Sequence, residues 1–353
     1  MNARLIKVLI VEDSPTQSLL LEEIINSDPR LQVVAVAGSA EKALRVMARV
    51  RPDVVSMDIH LPKMDGYQAT RQIMRDFPVP IVVVSSSVGG KDAEISMNSL
   101  RAGALAVVKK PSGPGEPEYH TLAARMCEQL VIMSDVRVVR QRGAQPQKRE
   151  VQIARTPIEP VTLRESSVVG IVASTGGPPA LVSLLEKLPP TYPHPILVVQ
   201  HMNDAFLPGF IDWLDGRCAL RVKPASEGEF PCRGHVYVAP GGYHLEIGPN
   251  CLKLSDSNPV SFQCPSGTVL FRSLAREAGP EGVGILLTGM GEDGAEGLLE
   301  LKRRGGHTIV EDRSTATVYG MPRAAEELGA ATEVLPLPDI ARRLVELGER
   351  VQS

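Results

Sequence analysis

The chain has few cysteines and few aromatic residues, and both shortages narrow its possible functions. Its five cysteines are odd in number and include no C-x-x-C pair, so neither a disulfide framework nor a zinc site is predicted and a reducing cytosol fits. Aromatic residues make up only 4% and the formal net charge is −3. Without a basic field or stacking side chains, a nucleic-acid partner is not predicted.

Long apolar runs are also missing. No stretch approaches the roughly 18 apolar residues that a membrane helix needs, so no membrane insertion is predicted. Residues 1–7 lead directly into a strand-like segment and do not resemble a signal peptide. We therefore expect a cytoplasmic protein. With 353 residues, of which 43% are hydrophobic, the chain can form two domains with separate cores.

The first half alternates short apolar runs with helical patterns. Strands are predicted at 6–11, 32–36, 53–57, 81–84 and 104–108, and helices at 16–27, 40–50, 67–76, 91–102 and 119–135. The runs are continuously apolar, which is typical of parallel strands buried on both faces. Alternating strands and helices indicate a doubly wound α/β domain.

Polar side chains cluster where these strands end. The set comprises three carboxylates, a hydroxyl and an ammonium: Glu12, Asp13, Asp58, Ser85 and Lys110. In such sheets ligands bind at the carboxyl ends of the strands. Clustered carboxylates repel one another unless a hard cation such as Mg²⁺ lies among them. Asp58 could then attack a phosphoryl group, while the lysine and serine bind the new phosphate oxygens.

The same stretches resemble the response-regulator receiver family over about residues 5–125. The matching motifs are V-L-I-V-E-D-S, V-V-S-M-D-I-H-L-P-K-M-D-G, V-V-V-S-S and V-V-K-K-P. The resemblance implies a flavodoxin-like (βα)5 fold and phosphorylation of Asp58 by a chemotaxis-type sensor histidine kinase. It further implies that Ser85 and Lys110 sense the phosphate. It also implies an Mg²⁺ site formed by Asp13, Asp58 and the backbone carbonyl of His60, with Glu12 nearby.

A basic segment connects the halves. Residues 137–164 contain seven Lys or Arg against two acidic residues, without helical or strand periodicity, and are predicted to be an exposed linker. We therefore expect a receiver domain at 1–125, a helix end with the basic linker at 126–165, and a second, doubly wound and mostly parallel α/β domain at 166–353.

Three chemically complementary residues follow predicted strands of the second half. Ser174 follows an apolar run at 168–173, His201 follows one at 196–200, and Asp293 lies beyond one at 282–288. Parallel strands bring such positions to one sheet edge. His201 could take the Ser174 proton while Asp293 orients the imidazole, and a backbone amide at Met290 could stabilise an oxyanion. Taken singly, each residue could instead be a cap or a structural hydrogen-bonding group.

This half resembles the chemotaxis protein-glutamate methylesterases, the CheB family. The motifs that carry the resemblance are V-A-S-T-G-G-P, V-V-Q-H-M, G-H-V-Y-V-A-P-G-G-Y-H, L-L-T-G-M-G-E-D-G and Y-G-M-P-R-A-A. The resemblance implies hydrolysis of glutamyl γ-methyl esters in methyl-accepting chemoreceptors, without a cofactor for that step, and deamidation in some members. It also implies that Met290 and Thr175 assist the site. Phosphorylation of the receiver would regulate the hydrolase.

Two other functional hypotheses remain open from the sequence. The chain could be a phosphorylation-dependent adaptor that only binds receptors or a kinase. It could also be a hydrolase of the same fold that acts on another ester or amide. Complete retention of Ser174, His201 and Asp293 favours an enzyme, because an adaptor would tolerate their loss.

Overall fold

The computed structural model describes residues 4–85, 95, 97–100, 102–136, 138 and 167–349. The chain divides into two compact units, Met1–Arg149 and Glu150–Ser353. Most of the predicted linker and most of the predicted helix at 91–102 lie outside the described residues, although 95 and 97–100 are helical. The domain boundaries expected at residues 125 and 165 therefore stay predictions.

The first unit contains one parallel sheet, whose strands alternate with helices along the chain. Its strands are β1 (Ile6–Val11), β2 (Leu31–Ala37), β3 (Val54–Asp58), β4 (Ile81–Ser85) and β5 (Ala106–Lys109). Four of its helices are α1 (Pro15–Ser27), α2 (Ala40–Val50), α3 (Gly66–Asp76) and α4 (Tyr119–Ser134). The strand order is β2-β1-β3-β4-β5, with every pair parallel, which confirms the predicted flavodoxin-like fold.

Helix caps fix the loops at the carboxyl edge of this sheet. The Ser14 side chain accepts a hydrogen bond from the Gln17 amide and begins α1 directly after the acidic pair Glu12–Asp13. Asp65 caps α3 in the same way. A side-chain oxygen at this position satisfies an amide that the helix itself leaves unpaired. The acidic residues are therefore held between the end of a strand and the start of a helix.

The second unit is larger and also mostly parallel. Its strands are β6 (Val168–Ala173), β7 (Ile196–Gln200), β8 (Arg221–Pro224), β9 (His235–Val238), β10 (His244–Ile247), β11 (Leu252–Ser255), β12 (Gly282–Leu286), β13 (His307–Glu311) and β14 (Glu333–Leu335). Its helices are α5 (Gly177–Leu185), α6 (Leu207–Asp215), α7 (Gly267–Glu277), α8 (Ala295–Arg303), α9 (Met321–Glu327) and α10 (Leu337–Glu349).

Seven of these strands form one parallel sheet in the order β14-β13-β12-β6-β7-β9-β8, while β10 and β11 form a separate antiparallel pair. The central strand β6 has β7 on one side and β12 on the other. The chain leaves β6 toward one side and later returns to the other, so a crevice forms at the carboxyl end of β6. This is the mostly parallel α/β architecture that the sequence predicts.

Glycines let two helices approach this crevice closely. A Cβ added at Gly170 of β6 would lie 2.5 Å from Leu274 Cδ1 of α7, which packs on the sheet. A Cβ added at Gly297 of α8 would lie 2.4 Å from the Thr268 carbonyl oxygen at the start of α7. Such contacts leave no room for a side chain. The N-terminus of α7 is thereby held beside the loop that precedes α8.

The elements on either side of the crevice differ in how they begin and end. Helix α5 begins at Gly177, because Pro178 and Pro179 fit the first turn, where no amide donor is needed. The strand expected at 282–288 ends at Leu286, so Thr288 belongs to the loop beyond it. No helix in the described ranges is long and apolar enough to cross a bilayer.

Candidate functional site

The carboxyl edge of the first sheet holds a buried ion cluster. Lys110 Nζ donates to Glu12 Oε2 at 2.6 Å and to Asp58 Oδ2 at 2.8 Å. None of these three side chains is more than 5% exposed. Asp13 is exposed, and one carboxylate oxygen from each of Glu12, Asp13 and Asp58 lies within 4.8 Å of the others. The four predicted residues therefore meet in one place.

The cluster contains more negative than positive charge, and the pKa values of Glu12 and Lys110 are both raised. Burial raises the pKa of Glu12, and the nearby Asp58 charge raises it further against the opposing effect of Lys110. Burial alone would lower the pKa of Lys110, but its hydrogen bonds to the two carboxylates raise it. The three carboxylates of Glu12, Asp13 and Asp58 form an all-oxygen donor set that fits a hard divalent cation such as Mg²⁺.

The remaining predicted residues of this site lie next to the cluster. The His60 amide donates to Asp58 Oδ1 at 3.3 Å. Ser85 is buried at the end of β4, and its carbonyl accepts the Lys110 amide at 2.8 Å. Metal binding by the His60 carbonyl and phosphate binding by Ser85 stay predictions.

In the second unit, Ser174 and His201 lie side by side at the ends of adjacent strands. Ala173 and Gln200 are register partners, and the His201 amide donates to the Ala173 carbonyl at 2.9 Å. Gln200 Nε2 donates to the carbonyl of Ser174 at 2.9 Å and to that of His201 at 3.0 Å. One buried amide therefore holds the backbone of both residues.

Asp293 completes the pair with His201 and is held by a helix N-terminus. His201 Nε2 lies 2.9 Å from Asp293 Oδ2, with side chains 7% and 3% exposed. Asp293 Oδ1 accepts from Ser266 Oγ at 2.6 Å and from the Thr268 amide at 3.2 Å, and Oδ2 accepts from the Gly267 amide at 2.6 Å. These donors start α7, where the helix dipole favours a negative charge.

This arrangement keeps the carboxylate ionised. Burial alone would raise the pKa of Asp293, but the hydrogen bond and charge of His201, together with donation from Ser266 and Gly267, hold it below its ordinary value. The adjacent acidic residue in the same motif, Glu292, is exposed. Asp293 rather than Glu292 therefore contacts the imidazole.

His244 fixes the segment that begins α7. Its Nδ1 accepts the Ser266 amide at 3.1 Å, so its Nε2 carries the proton and donates to the Asn258 carbonyl at 3.2 Å. The imidazole is fully buried. Both ring nitrogens are engaged in holding the backbone, which leaves neither available for chemistry.

The glycine-rich loop after β12 contacts the Ser174 turn through its backbone. The Ser174 amide donates to the Thr288 carbonyl at 3.0 Å, and Thr288 Oγ1 donates to the Thr175 carbonyl at 2.9 Å. Met290 lies two residues further on, with a 45% exposed side chain. A Cβ added at Gly320 would lie 3.1 Å from Met290 Cα, so only glycine allows the loops to pack this closely.

The Ser174 side chain is half-buried. Within the described part of the chain it forms no hydrogen bond to His201. His201 Nε2 is engaged by Asp293, so Nδ1 is the ring nitrogen that remains to receive a proton. In structures without substrate, such catalytic hydrogen bonds are often unformed.

Sequence reasoning missed the residues that support the site. Gln200 and Ser266 directly contact the backbone or side chains of the three predicted residues. Ser266 could have been found from its position before an apolar helical pattern, which is typical of a helix start. Gln200 offers only the weaker signal of a polar side chain that ends an apolar strand.

Together the fold and the two sites define a class: a receiver unit with an acidic cluster, in one chain with an α/β unit that holds a His201–Asp293 pair next to the Ser174 turn. Residues 8–118 match the family described as response regulator receiver domain, and residues 169–344 match CheB methylesterase. The chain belongs to the CheB family of methylesterases that carry a receiver domain.

Named relatives are similar over nearly the whole chain. A protein-glutamate methylesterase/protein-glutamine glutaminase from Paramagnetospirillum magneticum is 50% identical over 345 residues, 97% of each chain. One from Nitrosospira multiformis is 43% identical over 348 residues, again 97% of each. The crystal structure of the Thermotoga maritima CheB methylesterase catalytic domain is 36% identical, with a TM-score of 0.51, and covers 52% of this chain and 98% of that one.

Proposed function

We propose that this chain hydrolyses γ-methyl esters of glutamate residues in chemoreceptors, releasing methanol, and deamidates receptor glutamines under control of its receiver. The supporting observation is the meeting of Ser174, His201 and Asp293 at three adjoining strand ends, with the last two 2.9 Å apart. A cytoplasmic location accompanies this proposal, because the family acts on signalling proteins there.

The reaction proceeds by acyl transfer. Ser174 Oγ attacks the ester carbonyl carbon while a ring nitrogen of His201 accepts the hydroxyl proton. The tetrahedral intermediate collapses, the bond to the methoxy oxygen breaks, and the imidazolium gives its proton to that oxygen, so methanol leaves. Water then attacks the acyl carbon with His201 again as base, which frees glutamate and restores Ser174. An amide substrate would release ammonia by the same steps.

Asp293 makes His201 a better base without accepting its proton. The carboxylate stabilises the imidazolium that forms in both steps. Because Ser266 and two backbone amides also donate to it, its charge is fixed before the reaction begins. Such preorganisation avoids rearrangement during the step itself.

Backbone amides around the crevice would stabilise the oxyanion. We assign this role to the amide of Met290, with Thr175 assisting from the Ser174 turn. The hydrogen bonds of Thr288 to the Ser174 turn support this assignment, because they hold the two loops at a fixed separation. Removing one such donor from an enzyme typically lowers the rate by about a hundredfold or more.

In the receiver, Asp58 would accept a phosphoryl group from a sensor histidine kinase and become an acyl phosphate. Glu12, Asp13 and Asp58 would hold Mg²⁺, which when bound screens the negative charge that repels the phosphodonor. Lys110 and Ser85 would then bind the phosphate oxygens. The ammonium already contacts Asp58, so it needs only a small shift to do so.

Methanol release from receptor-containing membranes with tritiated glutamyl methyl esters tests the proposal. We expect Ser174→Ala to lower release at least about a thousandfold. A small phosphodonor should stimulate the wild type and leave Asp58→Asn unchanged. Equal rates for wild type and Ser174→Ala would exclude the mechanism. No release by either, with phosphodonor-dependent receptor binding retained, would instead favour an adaptor.

A further inference from the structure

We propose that Phe262 is a docking contact for the receptor polypeptide beside the modified glutamate; this inference rests on the proposed function. Phe262 is 100% exposed. The next most exposed large apolar side chain in the described ranges, Leu19, is 68% exposed. A fully exposed aromatic ring adds no packing that stabilises the folded unit. Such a ring is typical of a surface that a partner covers.

The backbone presents this ring at the tip of a tight turn. Val260 and Gln263 exchange both backbone hydrogen bonds at 3.0 Å. Between them, Ser261 and Phe262 have φ angles of 51° and 62°, in the left-handed region. Two-residue turns of this kind normally use asparagine or glycine, because a side chain is strained there. Stability of the free protein therefore explains neither the conformation nor the residue.

The turn lies close to the catalytic residues. Ser266, which donates to Asp293, lies only four positions after Phe262, so the Cα atoms of the two residues are within roughly 14 Å of each other. Tyr243 follows β9 and Met290 follows β12, both at the carboxyl edge of the sheet, and their side chains are 46% and 45% exposed.

The reaction itself indicates what Phe262 contacts. The proposed ester is a protein side chain, so the residues that flank it must lie against the surface around Ser174 when its carbonyl reaches the hydroxyl. On a helix, the residues three and four positions away share the face of the modified glutamate. Phe262 is suited to bind apolar side chains at those positions, because exposed aromatic rings are common anchors at interfaces.

Replacing Phe262 by glycine separates docking from folding. Glycine suits the left-handed turn, so Phe262→Gly should fold at least as stably as the wild type. We expect its KM for methylated receptor membranes to rise about tenfold with kcat unchanged, the result of losing binding that is equal in ground and transition states. Phe262→Tyr, which keeps the ring, should retain a KM near that of the wild type.

Matched variants distinguish the possible failures. Phe230 is 57% exposed in the β8–β9 connection, and Phe230→Ala should leave both constants unchanged. An unchanged KM in Phe262→Gly, or a lower kcat with the same KM, would overturn the docking role. Full activity in Ser174→Ala would instead overturn the proposed function, so the two failures give different results.

A separate observation concerns Glu311, which we infer to be a positioning residue for the Ser174 turn. It ends β13 and is 1% exposed. Its Oε2 accepts the Thr288 amide at 2.8 Å, and its Oε1 accepts the Thr315 hydroxyl at 3.1 Å. One carboxylate therefore connects the loop after β12 with the loop after β13.

Thr288 transmits this contact to the nucleophile. Its carbonyl accepts the Ser174 amide, while its hydroxyl donates to the Thr175 carbonyl and accepts the Val318 amide at 2.8 Å. Displacement of Thr288 would move both the attacking hydroxyl and the loop that carries Met290. A shift of about 1 Å in such groups can lower a rate by up to about a hundredfold.

Two substitutions of Glu311 test this role. Glu311→Gln can still accept the Thr288 amide and donate to Thr315, so we expect kcat within about threefold of the wild type. Glu311→Leu leaves the Thr288 amide unpaired, and kcat per folded molecule should fall at least about tenfold with KM unchanged. Equal kcat values for Glu311→Leu and the wild type, or equal losses in both variants, would overturn the inference.

Discussion

The two sites of this chain hold buried carboxylates at the same kind of strand end but compensate their charge differently. In the receiver, Glu12 and Asp58 share the single ammonium of Lys110. In the hydrolase unit, Asp293 is held by fixed neutral donors in addition to His201. A lysine can move when a cation or phosphoryl group arrives, whereas the N-terminus of a packed helix cannot.

The pKa shifts of the two sites have opposite directions for this reason. Burial and a like charge raise the pKa of Glu12, whereas the donors around Asp293 outweigh burial and lower its pKa. In the receiver site, burial and the like charge of Asp58 both disfavour the ionised form of Glu12. Under the proposed mechanism, the donors around Asp293 are already arranged for the charge that develops during catalysis. The proposed switch and the proposed catalyst thus shift the pKa values of similar carboxylates in opposite directions.

The largest effect is expected from Asp293→Asn. It keeps the shape but removes the charge that stabilises the His201 imidazolium, so we expect kcat for methanol release to fall about ten-thousandfold. The exposed neighbour provides a matched control, and Glu292→Gln should release methanol at the wild-type rate. If Asp293→Asn keeps more than a tenth of the activity, the fixed-charge description of this site is wrong.

A smaller effect, on stability, is expected from Lys110→Ala. Without the ammonium, Glu12 and Asp58 are buried without compensation, so the free energy of unfolding of the receiver should fall by about 3 kcal/mol at pH 7. Urea unfolding followed by circular dichroism measures this, and Mg²⁺ should restore part of the loss. Lys109→Ala removes only an exposed pair with Glu118 and should cost less than about 1 kcal/mol. Similar losses in both variants would contradict the prediction.

Ser266→Ala should have a modest effect on catalysis. It removes one of the four hydrogen bonds that Asp293 accepts, so the carboxylate is less firmly held and we expect about a tenfold lower kcat, equivalent to about 1.4 kcal/mol. Ser266→Thr retains a hydroxyl and should recover most of the rate. An unchanged kcat in Ser266→Ala would show that the backbone amides of α7 alone position Asp293.

The smallest effect is a pH dependence of opposite sign at the two sites. Because the pKa of Glu12 is raised above 4.5, the folded receiver holds this proton more tightly than the unfolded chain does. Relative to Glu12→Gln, the wild type should lose stability as the pH rises from about 4.5 through the folded pKa, and remain constant above it.

The contribution of Asp293 to stability should have the opposite pH dependence. Its pKa lies below 3.8, so its contribution to stability is present above that pH and lost as the pH falls through the folded value. Unfolding curves without divalent cations, from pH 3 to 7, measure both dependences against Glu12→Gln and Asp293→Asn. Equal signs at the two sites would contradict the comparison.

Much of both candidate sites could be predicted, because most of their residues lie at or just beyond the ends of strands. Apolar runs of strand length with helices between them indicate parallel sheets, and the residues after those runs must share an edge. This is why Asp58 and Lys110 could be grouped, and why Ser174, His201 and Asp293 could be grouped across more than a hundred residues. The contact of Ser266 with Asp293 was not predictable, because Ser266 can be found as a helix start but no periodicity links it to the loop before α8.

By itself, the sequence determined the two α/β folds, the residues that reach their carboxyl edges and the family to which the chain belongs. These follow from local apolar patterns and from motifs of adjacent residues. Only the tertiary structure decided that the N-terminus of α7 and the Gln200 side chain hold the site, and that the Phe262 side chain is fully exposed. Those outcomes depend on close packing between distant segments, which local residue order does not encode.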